Sequence, residues 1–309
     1  MKCEEQCYEN KGICLKYYEV SNDFPPFVLL HAQGVDARSF SKVMPKLAKR
    51  YHVYAVDCYG HGGSLHDASK YNVADIGDAV IDFIQNVVKE RVSLLGHSSG
   101  GLIAAYVASR SDVCTNLILE DPPIFASQGE RRKNTFNYLD LSTVCHDFLN
   151  QTEEKDFVLY YFAHQYAWKL FPEASRERTR EKLTALAAKY RGKHPNKDLW
   201  VPFWPKAALA GFQGMNQYDP RFGESFYTDS FHASIPHEKL LRHISCKTVF
   251  LKANAEVSPE GILMGALSED DLKRVLELVP GCELIRFNCG HGIHMEKPDE
   301  FAAALLKME

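Results

Sequence analysis

The chain has 309 residues, of which 45% are hydrophobic and 25% charged. That is the make-up of a folded globular protein, not of a disordered, collagen-like or coiled-coil chain, and a core of that size needs neither disulfides nor a metal to form. Lys and Arg number 36 against 40 Asp and Glu, a net charge of −4, so no positive field draws the chain to nucleic acid or anionic lipid, and neither is expected as a partner. No run approaches the roughly 18 apolar residues of a membrane span, and the opening MKCEEQCYENKG lacks the apolar core of a signal peptide. A cytoplasmic protein is expected. The nine cysteines agree, because Cys58, Cys114 and Cys246 lie in or beside apolar segments where a free thiol packs as a small hydrophobe. Cys3, Cys7 and Cys14 match no closed zinc spacing, so no metal is expected.

In chain order, residues 27–31 (FVLLH), 52–57 (HVYAVD), 92–96 (VSLLG), 117–121 (LILED), 248–252 (TVFLK) and 283–287 (ELIRF) are short, nearly unbroken apolar runs. They are predicted as strands buried on both faces. Apolar residues at helical spacing mark 73–90, 102–110 and 269–279, the last opened by Ser268 as an N-cap. This alternation predicts an α/β fold, a mostly parallel sheet with helices on both faces. Between 122 and 244 the strand signals stop. Helical patterns such as 176–191 and a dense aromatic supply, Trp168, Trp200 and Trp204 included, predict an inserted helical cap. The organisation expected is a first core part at 1–121, a cap at 122–244 and a second core part at 245–309. Most of the aromatics are expected to pack the cap and a minority to line a pocket.

The chemical signal is Gly96-His97-Ser98-Ser99-Gly100-Gly101, set between the strand VSLLG and the helical LIAAYVASR. A G-x-S-x-G in that context makes a sharp turn that lifts the central serine off the sheet, and the flanking glycines let backbone approach without Cβ clashes. Ser98 is the candidate nucleophile. The competing reading is a glycine-rich turn that caps the helix or binds a phosphate.

With Ser98 as anchor the chain resembles the α/β-hydrolase superfamily, and three further segments carry the resemblance. His31-Ala32-Gln33-Gly34 resembles the oxyanion loop, with Ala32 where glycine is usual. The run from Asp57 to Ser64 (DCYGHGGS) resembles the D-x-x-G-H-G-x-S turn, and the run from Gly290 to Pro298 (GHGIHMEKP) resembles the closing G-H-x-x-x-x-E-x-P. The resemblance implies His291 as the base that activates Ser98, ahead of His294, and the backbone N–H groups of Gln33 and Ser99 as the oxyanion hole. For the carboxylate that orients His291, three candidates stay open. Glu256 falls after the strand TVFLK, where most members carry their acid, but an extra loop at 261–267 separates it from His291. Asp121 matches the position used by haloalkane-dehalogenase-like and zearalenone-lactonase-like members, and Pro122 and Pro123 fix the turn that aims it. Glu120 is its neighbour and is expected to point to the other face. The pocket is expected to include His31, His97, Trp204 and His294.

The implied activity is that of a serine hydrolase taking a small or medium apolar ester or lactone through an acyl-enzyme, with no cofactor and a small-molecule acyl substrate as its partner. A serine nucleophile disfavours the dehalogenase and epoxide-hydrolase branches, which use aspartate. The same triad also serves C–C bond hydrolysis or acyl transfer, and the same fold serves ligand sensors without turnover.

Overall fold

All six predicted strands form, and two more precede them. The computed structural model describes residues 3–308, apart from the side chains of 206 and 207. Strands β1 (Glu4–Asn10) and β2 (Ile13–Val20) make an antiparallel hairpin. Its turn residues Lys11 and Gly12 have φ of 46° and 86°, the primed-turn geometry that matches strand twist. β2 then pairs antiparallel with β4 (His52–Val56). From β3 (Pro26–Leu30) through β4, β5 (Val92–His97), β6 (Cys114–Glu120) and β7 (Lys247–Lys252), the sheet is parallel. A two-stranded ribbon follows, β8 (Glu256–Val257) and β9 (Leu263–Met264), and then β10 (Glu283–Arg286), which pairs parallel with β7. The order across the main sheet is β1-β2-β4-β3-β5-β6-β7-β10.

Unbroken apolar runs suit these strands because successive side chains enter two different cores. Val28, Leu30, Leu94, Leu117, Leu119 and Phe250 belong to one, while Phe27, Leu29, Leu95, Ile118, Val249 and Leu251 belong to the other. Helices Val73–Phe83, Ser99–Arg110 and Glu269–Leu278 supply residues to the first core. Met44–Leu47 and Pro298–Leu305 supply the second. Ser268 caps its helix as expected, its hydroxyl accepting from the Asp271 amide at 3.1 Å. The 73–90 pattern bends: the α-helix stops at Phe83, widens into one π-turn, and ends where Lys89 takes a φ of 61°.

From the end of β6 to the start of β7 the regular elements are helical, among them Thr143–Leu149, Phe157–His164, Glu173–Lys193 and Pro220–Tyr227. Helix Glu173–Lys193 covers the predicted 176–191 and buries only Leu183 and Ala187, so its polar faces meet solvent. Aromatic packing holds this segment together. Phe162, Trp168 and Trp204 pack with ring centroids 4.9 to 5.5 Å apart, where offset and edge contacts between rings are favourable. It is moored to the connection between β4 and helix Val73–Phe83 through Asp219, whose amide donates to the Gly60 carbonyl (2.8 Å) and whose carboxylate accepts from the Tyr71 hydroxyl (2.7 Å).

β3 sits between β4 and β5, so chains leaving the carboxyl ends of β3 and β5 diverge around a crevice. That topological switch point is where open α/β sheets build sites, and both the Gln33 loop and Ser98 lie there.

Candidate active site

Ser98 follows β5 directly and has φ 55° and ψ −118°, a strained conformation for a residue with a Cβ, costing about 1–3 kcal/mol. Its neighbours hold it there. The Ser98 amide donates to the Glu120 carbonyl (3.0 Å), and its own carbonyl accepts from Gly101 (2.9 Å) as helix Ser99–Arg110 begins. Two glycines are obligatory to this turn. A Cβ on Gly96 would lie 2.1 Å from the Gly100 carbonyl oxygen, and one on Gly100 would lie 2.5 Å and 2.6 Å from the carbonyl oxygens of Leu30 and His31. The glycines therefore let the elbow press against β3, as the motif predicts.

Ser98 borders a cavity of about 480 Å³, which His291, Gln33 and Ser99 also line. His291 lies on the loop after β10. Its Nδ1 is 2.8 Å from Asp121 Oδ2, and Asp121 is wholly buried. A carboxylate at Nδ1 fixes the proton on that nitrogen and leaves the Nε2 lone pair for other work. Asp121 is itself held at a φ of 43°, by its amide donating to Leu251 (2.9 Å) and by the Ala253 amide donating to Oδ1 (3.3 Å).

The other two candidate acids stand elsewhere. Glu120, one residue earlier on the strand, points to the opposite face, as period-two geometry requires. There it accepts from the backbone amide of His294 (2.9 Å) and meets that ring's Nδ1 at 2.8 Å. Burial pushes the Glu120 carboxyl up, but His294, His97 and the hydrogen bonds from His294 outweigh it and hold the group below the usual range. Glu256 is exposed on β8, on a surface depression with Glu269 and Arg286.

Of the four residues expected in the pocket, His97 is the one that lines it. Burial drives the His97 imidazole down to about 3, so it stays neutral. Its Nε2–H donates to the His291 carbonyl (3.0 Å). His294 is buried behind that loop, paired with Glu120 and stacked on Phe40 at 4.3 Å. Trp204 packs in the aromatic cluster of the β6–β7 segment. His31 turns inward: its Nε2 accepts from the Cys58 amide (2.9 Å), so its Nδ1–H donates to the Ala32 carbonyl (2.7 Å). These three do not line the cavity: backbone hydrogen bonds hold His31, ring packing holds Trp204, and Glu120 and Phe40 hold His294.

The D-x-x-G-H-G-x-S turn supports the Gln33 loop. His61 is buried and pushed well below its ordinary value by that burial. It therefore accepts at Nε2 from the Gly34 amide (3.1 Å) and donates from Nδ1 to Tyr59 (3.0 Å). Asp57 accepts from the amides of Ala37 (2.9 Å) and Gly63 (3.1 Å). The Gln33 side-chain amide donates to Asn137 Oδ1 at 2.6 Å, which ties the loop to the β6–β7 segment.

Sequence reading missed three features. Lys252, buried on β7, reaches within 3.5 Å of Asp121 Oδ1 and donates to the Ala253 carbonyl; a lysine ending an apolar strand was the available signal. Glu296 accepts from the Gly290 amide (3.0 Å) and closes the turn before His291, which explains the acid in the tail motif. Asp140, on the cavity wall, accepts from the Tyr161 hydroxyl (2.5 Å) and the Ala167 amide (2.9 Å). Among the described residues, His97, Glu120 and His294 are a set spaced to hold a metal ion, with donor atoms within 4.8 Å of one another. Their hydrogen bonds to each other and to the His291 carbonyl already use part of that donor set.

Asp140 carries a pH prediction. Burial raises its carboxyl to about 6, so between about pH 4 and 6 the folded protein holds a proton that the unfolded chain releases. The stability contributed by this group is present at low pH and lost as pH rises through 6. Urea denaturation of wild type and Asp140→Asn at pH 4 and pH 8 should therefore show the wild type losing about 2 kcal/mol relative to the variant. A difference that does not change with pH would refute this assignment.

Comparison with known proteins agrees with the fold. An uncharacterized protein of Mycobacterium tuberculosis is 33% identical over 91 residues, 29% of this chain and 27% of that protein. The (E)-2-((N-methylformamido)methylene)succinate hydrolase of Acinetobacter baylyi is 33% identical over 92 residues, 30% of this chain and 35% of the enzyme. The matches thus span about a quarter to a third of these relatives' lengths. The enol-lactonase from Burkholderia xenovorans superposes with a TM-score of 0.64 at 14% identity, over 97% of this chain and 98% of that one, a likeness of fold. The model of the alpha/beta hydrolase family matches residues 27–304, from β3 through β10 and the elements between them, but not the β1–β2 hairpin. On that match the chain belongs to the alpha/beta hydrolase family.

Proposed function

We propose that this protein is a serine hydrolase that cleaves a small or medium apolar ester or lactone through an acyl-enzyme intermediate. Ser98 is the nucleophile, His291 the general base and Asp121 the carboxylate that orients it. The observation that carries the reading is the meeting at one cavity of a strained serine turn and a histidine whose Nδ1 is 2.8 Å from a buried aspartate. In the reaction, Ser98 Oγ attacks the substrate carbonyl carbon while its proton passes to His291 Nε2. The negative charge that develops on the former carbonyl oxygen is met by the N–H groups of Gln33 and Ser99, each worth about 3 kcal/mol in such sites. Collapse breaks the bond to the leaving alcohol, which takes the proton from His291. Water, deprotonated by the same ring, then releases the acid.

The helical segment at 122–244 acts as the cap over this site, and Leu141, Phe226 and Met215 on the cavity wall favour apolar acyl groups. The Acinetobacter relative, by its name a hydrolase of a succinate derivative, supports acyl chemistry. A cytoplasmic location is part of the same reading, supported by nine cysteines with free thiols.

Treating the purified protein with a fluorophosphonate, followed by intact mass and peptide mapping, tests the assignment. A single stoichiometric adduct on Ser98 is expected. A folded protein that takes no adduct would overturn the hydrolase reading in favour of a ligand sensor.

A further inference from the structure

We propose that Arg132 binds a carboxylate on the substrate, so that the ester or lactone cleaved here carries a negative charge at the end of an otherwise apolar group. The inference rests on the hydrolase reading above and names the substrate class for that site.

Arg132 lies in the short 3-10 helix Gly129–Asn134 and lines the same cavity as Ser98. Its side chain is 12% exposed, so its charge is largely withdrawn from water. What holds it is neutral. Nε and one terminal nitrogen donate to the Tyr227 carbonyl at 3.2 Å and 2.9 Å, and the other terminal nitrogen donates to the Gly129 carbonyl at 2.6 Å. A guanidinium has five N–H groups, so two remain without an acceptor among the described residues.

No carboxylate neutralises it closely. The nearest ion-pair partner, Glu130, is 3.9 Å away and 83% exposed, and its other oxygen is taken by Lys133 at 2.7 Å. Asp229 spends both oxygens on the Gly129 amide, at 3.2 Å and 3.0 Å. His232 donates from Nε2 to the Ser127 carbonyl (2.9 Å) and accepts at Nδ1 from His237 Nε2–H (3.0 Å), and burial holds its imidazole below the usual range. Asp140 on the cavity wall is occupied by Tyr161 and Ala167. The Tyr138 ring lies 5.7 Å from the guanidinium carbon and helps fix its plane.

A cation held rigidly by carbonyl oxygens beside an apolar cavity is costly unless something in the cavity answers it. Two spare N–H groups on one planar fork match the two oxygens of a carboxylate, the geometry for which arginine is better suited than lysine.

The test is the ratio of kcat/KM for two matched aryl esters, mono-4-nitrophenyl glutarate and 4-nitrophenyl pentanoate, which differ in the terminal carboxylate. The wild type is expected to prefer the glutarate about tenfold or more, with the preference shrinking as salt rises. In Arg132→Met the glutarate value should fall about 10–100-fold further than the pentanoate value, chiefly through KM, and Arg132→Lys should restore part of it. Equal losses on both esters, or a wild type that favours the pentanoate, would overturn the proposal. The wild-type ratio stands even where a variant does not fold. If neither ester turns over but Ser98 labels with fluorophosphonate, free glutarate should slow labelling of the wild type more than of Arg132→Met, and equal protection would overturn the proposal. Failure to label at all strikes the hydrolase reading and is thereby distinguished.

Discussion

Ser98→Ala is expected to lower kcat by about a million-fold on any ester the wild type turns over, because the variant has no atom to form the acyl-enzyme and the remaining groups act only as a unit. The fold should tolerate the change. The hydroxyl makes no hydrogen bond on which the turn depends, since Ser98 is held by its amide and carbonyl and by the glycine contacts around it. Far-ultraviolet circular dichroism and thermal unfolding should therefore match the wild type. Retention of a tenth of the wild-type rate, with the variant shown free of contaminating enzyme, would remove Ser98 from the nucleophile's role.

The second large effect concerns the acid. Asp121→Asn is expected to cost about ten-thousand-fold in kcat, the scale seen when the orienting aspartate of a serine triad becomes an amide. An asparagine presents either an N–H to His291 Nδ1, which selects the wrong tautomer, or a neutral oxygen, which stabilises the imidazolium poorly. Here the change has a further consequence: the buried ammonium of Lys252, 3.5 Å from Asp121 Oδ1, would lose the negative charge it faces. Glu256→Gln, by contrast, alters an exposed residue on the ribbon and should leave kcat within about threefold, in keeping with the small effects usual at such surface positions. Measuring both variants on one ester decides between the acids, and the reverse ranking would transfer the role to Glu256.

How much could be read before the fold was known varies element by element. Strands β3 to β7 announce themselves as short apolar runs, because a strand covered on both faces has no solvent side to mark. The hairpin of β1 and β2 escaped notice although Lys11-Gly12 is a primed-turn signal and Ile13–Val20 is partly alternating. The edge strand β1 carries Glu4 and Glu5, and β2 beside it carries Lys16, charges that dilute the pattern. The break in strand signals after residue 121 located the long helical segment, but nothing in its aromatic content separated Trp204, which packs internally, from Tyr138 or Phe226, which line the cavity. Packing partners distant in sequence settle that difference.

The same division runs through the site. The serine turn, the Gln33 loop and the loop of His291 are written in local patterns, since tight turns demand glycine at fixed offsets and a strand-to-helix turn needs its strand and helix on either side. Asp121 and Glu120 are adjacent, chemically alike and equally buried, and which of them meets His291 depends on the face each strand residue presents and on where residues 291 and 294 arrive 170 and 174 positions later. His31, His61, His97 and His294 likewise share one residue type and take four different neighbours. Local sequence specifies backbone geometry because the forces involved act over a few residues, whereas the partner of a buried charge or ring is chosen by chain segments that only folding brings within 3 Å.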